Sequence, residues 1–174
     1  MIYTSWTIYA KNKVNEILAE VADSLSLKTP IPIKEVIERY VGDVQIVERM
    51  DIDFPPGVSA FSTKDMQTGW VIAVNPREPT ERQRFSLAHE LAHIVLILNQ
   101  PKKIYCSHES KGWDEKLCDR FAGDILMPEA MIRDLYKSTP SPYIEDVAKM
   151  FKVSRDVAKI QLGRLGLPFE YRFG

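Results

Sequence analysis

The segment His89-Glu90-Leu91-Ala92-His93 holds residue types that can do chemistry at a spacing that lets them do it together. Four residues on a helix turn through about 400°, so the two imidazoles share one face, a turn apart. That face can hold a zinc ion, with Zn–N distances near ~2.0–2.1 Å. Glu90 lies beside it, where a carboxylate can take the proton of a water activated by the metal. The chain has 3 histidines in 174 residues, and composition alone gives about 0.004 expected occurrences of the pattern. Without a metal, two imidazoles and a carboxylate would burden an otherwise apolar helix, which is costly to bury.

A catalytic zinc takes three protein ligands and keeps a fourth position open. The extended motif with a third histidine is absent: Asn99 stands six residues after His93, and Leu96 where that motif has glycine. A downstream carboxylate is therefore expected. The segment from Trp113 offers Asp114, Glu115, Asp119 and Asp124. Glu115 and Asp119 are i, i+4 and share a face, so one can ligate the metal while the other orients a ligand histidine. Such acidic pairs usually make a solvated face; here the need for a third ligand reverses that weighting. Asp124 lies about 180° around the helix from Glu115. Cys118, three residues after Glu115, can supply a thiolate, although a small core thiol is the simpler reading. Manganese or iron can also occupy a His₂-carboxylate site.

These residues need elements to position them. Val14, Ile17, Leu18, Val21, Ala22 and Leu25 recur at helical spacing and predict a helix over 11–25. A second helix follows Pro32, with Val36, Ile37, Tyr40 and Val41 on one face and Gly42 as its stop. The period then changes: strands are expected near Val44–Glu48, Val58–Thr63 and Trp70–Val74, the last two forming a hairpin. Thr80 is the expected N-cap of a helix over 81–98, apolar on nearly every side in its second half and so central to the fold. After a loop over 99–112, helices are expected over 113–126, from Pro128 to Tyr136, and over 143–151 and 155–165. The elements describe an α+β fold: a small twisted sheet, antiparallel or mixed, packed on the active-site helix and the glutamate helix. Residues 1–137 are read as one domain, with residues 138–174 packed on it.

Composition narrows the function. The net charge is −1 and hydrophobic residues make up 45% of the chain, so a disordered chain and one living on phosphate contacts are both poor fits. The longest apolar run, Leu91 to Leu98, is far below the ~20 residues of a membrane span, and His93 interrupts it. Lys11 and Lys13 precede any long apolar stretch, so no signal peptide is expected. Two cysteines, Cys106 and Cys118, make no disulfide framework, and a cytoplasmic location is expected.

The run Gln83 to His93, continued by Glu115-Lys116-Leu117-Cys118-Asp119-Arg120-Phe121-Ala122-Gly123-Asp124-Ile125-Leu126-Met127-Pro128, resembles the ImmA/IrrE family of zinc metallopeptidases. The family's second motif reads roughly E-x-x-A-[ND]-x-F-A-x-x-L-L-M-P; Cys118 replaces its usual alanine and Ile125 a common leucine. The resemblance implies a gluzincin-like core, with Glu115 as third ligand beside His89 and His93, Asp119 orienting a histidine, Glu90 as general base, and one zinc per chain. It also implies a substrate, since characterised relatives cut helix-turn-helix repressors of the Xre/cI type, often encoded on prophages or other mobile elements or in stress regulons. A second electrophile for the oxyanion is not evident. His108 and Tyr105, before the glutamate helix, and Tyr136 are the candidates; each is otherwise a surface or packing residue.

Residues 143–167 resemble a helix-turn-helix unit with a Ser154 cap. Residues 143–174 hold 6 Lys+Arg against 4 Asp+Glu, a weak basic face for a DNA reader. Packing or substrate docking is the favoured role, with direct DNA contact the minor one. The alternative to an enzyme is a DNA- or protein-binding regulator with a structural or latent metal site.

Overall fold

A computed structural model describes residues 2–65, 67, 69–98 and 112–172. In chain order the elements are α1 (Ile2–Ala22), α2 (Ile33–Val41), β1 (Val44–Val47), β2 (Ala60–Asp65), β3 (Gly69–Val74) and α3 (Thr80–Ala92). A wider π-helical stretch, His93–Leu98, continues α3. Then follow α4 (Trp113–Leu126), α5 (Glu129–Ser138), α6 (Ile144–Phe151) and α7 (Arg155–Arg164).

The sheet is mixed, with strand order β1-β3-β2. β2 and β3 form the expected hairpin, pairing Ala60 with Val74 and Asp65 with Gly69, while β1 runs parallel to β3 with Val44 opposite Trp70. Gly69 is where the sheet closes. Its φ is +80°, and an added Cβ would lie 2.4 Å from the Asp43 carbonyl oxygen. Trp70 N–H donates to that same oxygen at 2.8 Å. Only glycine lets the two chain segments approach so closely.

The active-site helix sits in the middle of the molecule, as its apolar second half predicts. Leu87, Ala88, Leu91 and Ala92 are fully buried. Around α3 pack the sheet, α2 and α4, and α1 packs against α4. Arg84 ties α3 to distant chain: its guanidinium donates to the Ile31 carbonyl at 2.8 Å and the Lys152 carbonyl at 3.1 Å. The C-terminal pair leans on α4 through close contact. A Cβ at Gly123 would lie 3.0 Å from the Gln161 side chain, and Gln161 donates to Asp124 at 3.0 Å.

Several boundaries differ from the sequence reading. α1 begins nine residues earlier than residue 11, because buried Ala10 and half-buried Trp6 carry the stripe of Val14, Ile17 and Val21 back along the same face. α3 begins at Thr80, with Pro79 as the cap. The Pro79 carbonyl already accepts the Gln83 N–H at 2.9 Å, so Thr80 is the first helical residue and not the cap. β2 starts at Ala60, two residues late, since Val58 N–H is spent on a turn to the Pro55 carbonyl. Ser154 does cap α7, its hydroxyl accepting the Val157 N–H at 3.2 Å. Among the described residues no helix is long and apolar enough to cross a membrane.

Candidate active site

α3 and its π-helical continuation present His89 and His93 to α4, which presents Glu115 and Asp119 in return. The His89 and His93 Nε2 atoms lie 3.0 Å apart. The Glu115 carboxylate faces both, at 3.1 Å from His89 Nε2 and 3.4 Å from His93 Nε2. Asp119 Oδ1 holds the other nitrogen of His89, Nδ1, at 2.9 Å. With the proton kept on Nδ1 by that carboxylate, the His89 Nε2 lone pair points at His93 and Glu115.

The donor set fits a tetrahedral metal. Around an ion with ligands near 2.05 Å, adjacent donors lie about 3.3 Å apart. The three observed separations, 3.0, 3.1 and 3.4 Å, bracket that value. Converging lone pairs and a carboxylate repel one another unless a cation sits between them. The two imidazoles respond to this setting in opposite directions. For His89, burial works against the charged form, but the Asp119 hydrogen bond and the Asp119, Glu115 and Glu90 charges outweigh it and raise its pKa. For His93 burial wins and its pKa falls, with neighbouring His89 adding to the drop against the pull of Glu90 and Glu115.

Cys118 offers a competing set, since donor atoms of His89, His93 and Cys118 all lie within 4.8 Å of one another. The sulfur, however, stands 3.6 Å from His93 Nδ1, the nitrogen on the opposite side of the ring from Glu115. One imidazole nitrogen can serve the metal while the other is held from behind. Cys118 is also fully buried, whereas Glu115 lines an open cleft of about 470 Å³. Among the described residues the open cleft lies on the Glu115 side.

That cleft is walled by Val58, Ser59 and Ala60 before and at the start of β2, by Phe85, Ser86, His89 and Glu90 of α3, and by Glu115, Lys116 and Asp119 of α4. Glu90, 9% exposed, accepts a hydrogen bond from the Ser62 hydroxyl at 2.7 Å. The structure thus brings together His89, Glu90, His93, Glu115 and Asp119. It places Tyr136 elsewhere: that hydroxyl donates to the Pro168 carbonyl at 2.7 Å and joins α5 to the C-terminal segment. His108, Tyr105 and Cys106 lie outside the described residues. Sequence reasoning missed Ser62; it did put Cys118 near the site, where the sulfur stands beside His93. For Ser62 the one available signal was a polar residue on the inward-facing alternation of a predicted strand.

The family profile of the IrrE N-terminal-like domain, peptidase M78, matches residues 46–162, spanning the end of β1, the β2–β3 hairpin, both site helices and most of α7. The radiation response metalloprotease IrrE of Deinococcus radiodurans is 31% identical over 119 residues, covering 59% of this chain and 36% of that protein. The protein of the same name from Deinococcus deserti is 38% identical over 71 residues, covering 37% of this chain and 25% of its own length. The chain thus spans about a third or less of these relatives. Among solved structures, a Mycobacterium tuberculosis transcriptional regulator superposes with a TM-score of 0.59 at 16% identity, over 91% of this chain and 47% of that one. This likeness is one of fold. With its two-helix donor cluster and a profile match over two-thirds of its length, the chain belongs to the ImmA/IrrE family of metallopeptidases.

Proposed function

We propose that the chain is a zinc-dependent endopeptidase in which His89, His93 and Glu115 hold the metal and Glu90 is the general base. The convergence of two Nε2 atoms and one carboxylate at 3.0–3.4 Å, on the wall of an open cleft, carries this reading. When bound, zinc supplies Lewis acidity, which acidifies water and polarises a carbonyl. Glu90 takes the proton from the attacking water and passes it to the leaving amine. Asp119 fixes the His89 tautomer and ring orientation. Arg82 and Lys116 are the cations on the described wall of the cleft.

The substrate backbone has a place to lie. β2 is an edge strand: β3 pairs with one side, and no described strand pairs with the other. Its start forms one wall of the cleft, so an extended segment can add to this edge and present its scissile bond to Glu90. The natural substrate in this reading is a cytoplasmic helix-turn-helix repressor of the Xre/cI type, and its cleavage relieves repression of stress or mobile-element genes. Residues 1–137 act as the peptidase domain. Residues 138–174 pack on it through the Gly123–Gln161 contact and take part in docking the substrate rather than in reading DNA.

The test is incubation of the zinc-loaded chain with an Xre-type repressor encoded beside it, followed by mass spectrometry. The wild type should cut at one site, and Glu90→Gln, equally loaded with zinc, should not. Equal cleavage by both would remove Glu90 as the base.

A further inference from the structure

We propose that Ser62 is a positioning residue that anchors the Glu90 carboxylate; the inference rests on the reading of Glu90 as general base. The strand register places it. Ser62 lies opposite Ile72 in the β2–β3 ladder, and directly opposed residues of an antiparallel pair project to the same face. Ile72 is fully buried, so Ser62 projects inward as well. Two residues away, the same face of β2 carries Ala60, which is 8% exposed. An apolar side chain is the ordinary choice at such a place. A hydroxyl is there instead, and its Oγ stands 2.7 Å from Glu90 Oε2.

An ionised carboxylate only accepts, so Ser62 is the donor. A hydrogen bond to a charged acceptor is among the stronger ones in a protein. Here it joins an edge strand of the sheet to the last turn of α3, two rigid elements. Glutamate has a long side chain with several rotatable bonds; held at one oxygen, it is kept in place on the wall of the cleft that it lines. The same strand whose start walls the cleft therefore aims the base. Ser62 need not touch substrate for this, and its role is exercised through Glu90.

The test uses the full chain loaded with cobalt(II), whose visible absorption reports ligand binding, titrated with acetohydroxamic acid. This probe binds as its anion, and the proton leaving its N–OH group passes to the Glu90 carboxylate, so affinity reads how well Glu90 is placed. The variants are Ser62→Ala, Ser62→Val, Ser62→Thr and Glu90→Gln, each first checked for one metal per chain. Ser62→Ala and Ser62→Val should bind about tenfold more weakly. Ser62→Thr, which differs from the valine variant chiefly by its hydroxyl, should return to within about threefold of wild type. Equal affinity in the Thr and Val variants would overturn the proposal, even if the alanine variant folds poorly. Wild-type affinity in Ser62→Ala and Ser62→Val, with a large loss in Glu90→Gln, would overturn the role of Ser62 and leave Glu90 as the base. Wild-type affinity in Glu90→Gln would instead overturn the reading of Glu90 itself, and this inference with it.

Discussion

Removing the Asp119 carboxylate tests whether the residue behind a ligand matters as the geometry says. Asp119 Oδ1 lies 2.9 Å from His89 Nδ1, while Glu115 stands at the other ring nitrogen, Nε2. Its loss leaves the three donors in place but frees the His89 tautomer and lowers the basicity of Nε2. Partners of this kind are commonly worth 10–100-fold in metal affinity. The Asp119 side chain is 58% exposed, so water can replace part of what it supplies, and the low end applies. Asp119→Ala should therefore weaken zinc binding about tenfold, or ~1.4 kcal/mol. Asp119→Asn keeps an acceptor for Nδ1–H without the charge and should lose only about two- to threefold. His89→Ala, which removes a donor outright, should lose far more than either. The assay is competition for zinc against a fluorescent chelator at pH 8, with circular dichroism confirming the fold of each variant. Wild-type affinity in Asp119→Ala would refute the reasoning. So would an Asn variant as weak as His89→Ala, because the acceptor geometry would then count for nothing.

The metal-free protein should show the two site histidines titrating in a fixed order. The His89 pKa is raised and the His93 pKa lowered, so NMR should find His89 protonating at the higher pH, and the reverse order would contradict the described electrostatics. The signs for stability follow: the contribution of His89 is present below the ordinary histidine value and lost as pH rises through its raised folded value, while that of His93 is present above the ordinary value and lost as pH falls through its lowered one. Gly69→Ala should cost about 2–3 kcal/mol or more in urea unfolding, since a positive φ and a Cβ 2.4 Å from backbone oxygen act together. Gly166→Ala, at φ +65° with nothing within 4 Å, should cost only about 1 kcal/mol. Equal losses at the two positions would contradict the close approach of Gly69 to Asp43.

The parts of this molecule that were legible from sequence are those set by local physics. The spacing of His89 and His93 fixes a shared helical face before any fold is known. The apolar surround of that helix puts it at the centre, and Ser154 before an amphipathic run marks the start of α7. What escaped depends on partners far away in the chain. Nothing local in Val44–Val47 says that it runs parallel to β3, or that β2 is left as an edge. Ser62 meets Glu90 across 28 positions of chain, and its hydroxyl looks like any strand serine until the register is known. From its spacing to Glu115, Cys118 can be a ligand, although a core thiol is the simpler reading. The side of the His93 ring that it faces, and its burial away from the cleft, are what separate the two. The π-helical widening from His93 onward has no composition signal either, as Leu91 to Leu98 is uniformly apolar apart from His93 itself.

The central claim is that the metal is held on the cleft side by two imidazoles and Glu115, with a position open to water and Cys118 outside the coordination sphere. X-ray absorption at the zinc edge of the loaded chain tests it most directly. Only nitrogen and oxygen neighbours near ~2.0–2.1 Å are expected, one of them water. A sulfur neighbour near ~2.3 Å would put Cys118 on the metal and contradict a catalytic centre built on Glu115.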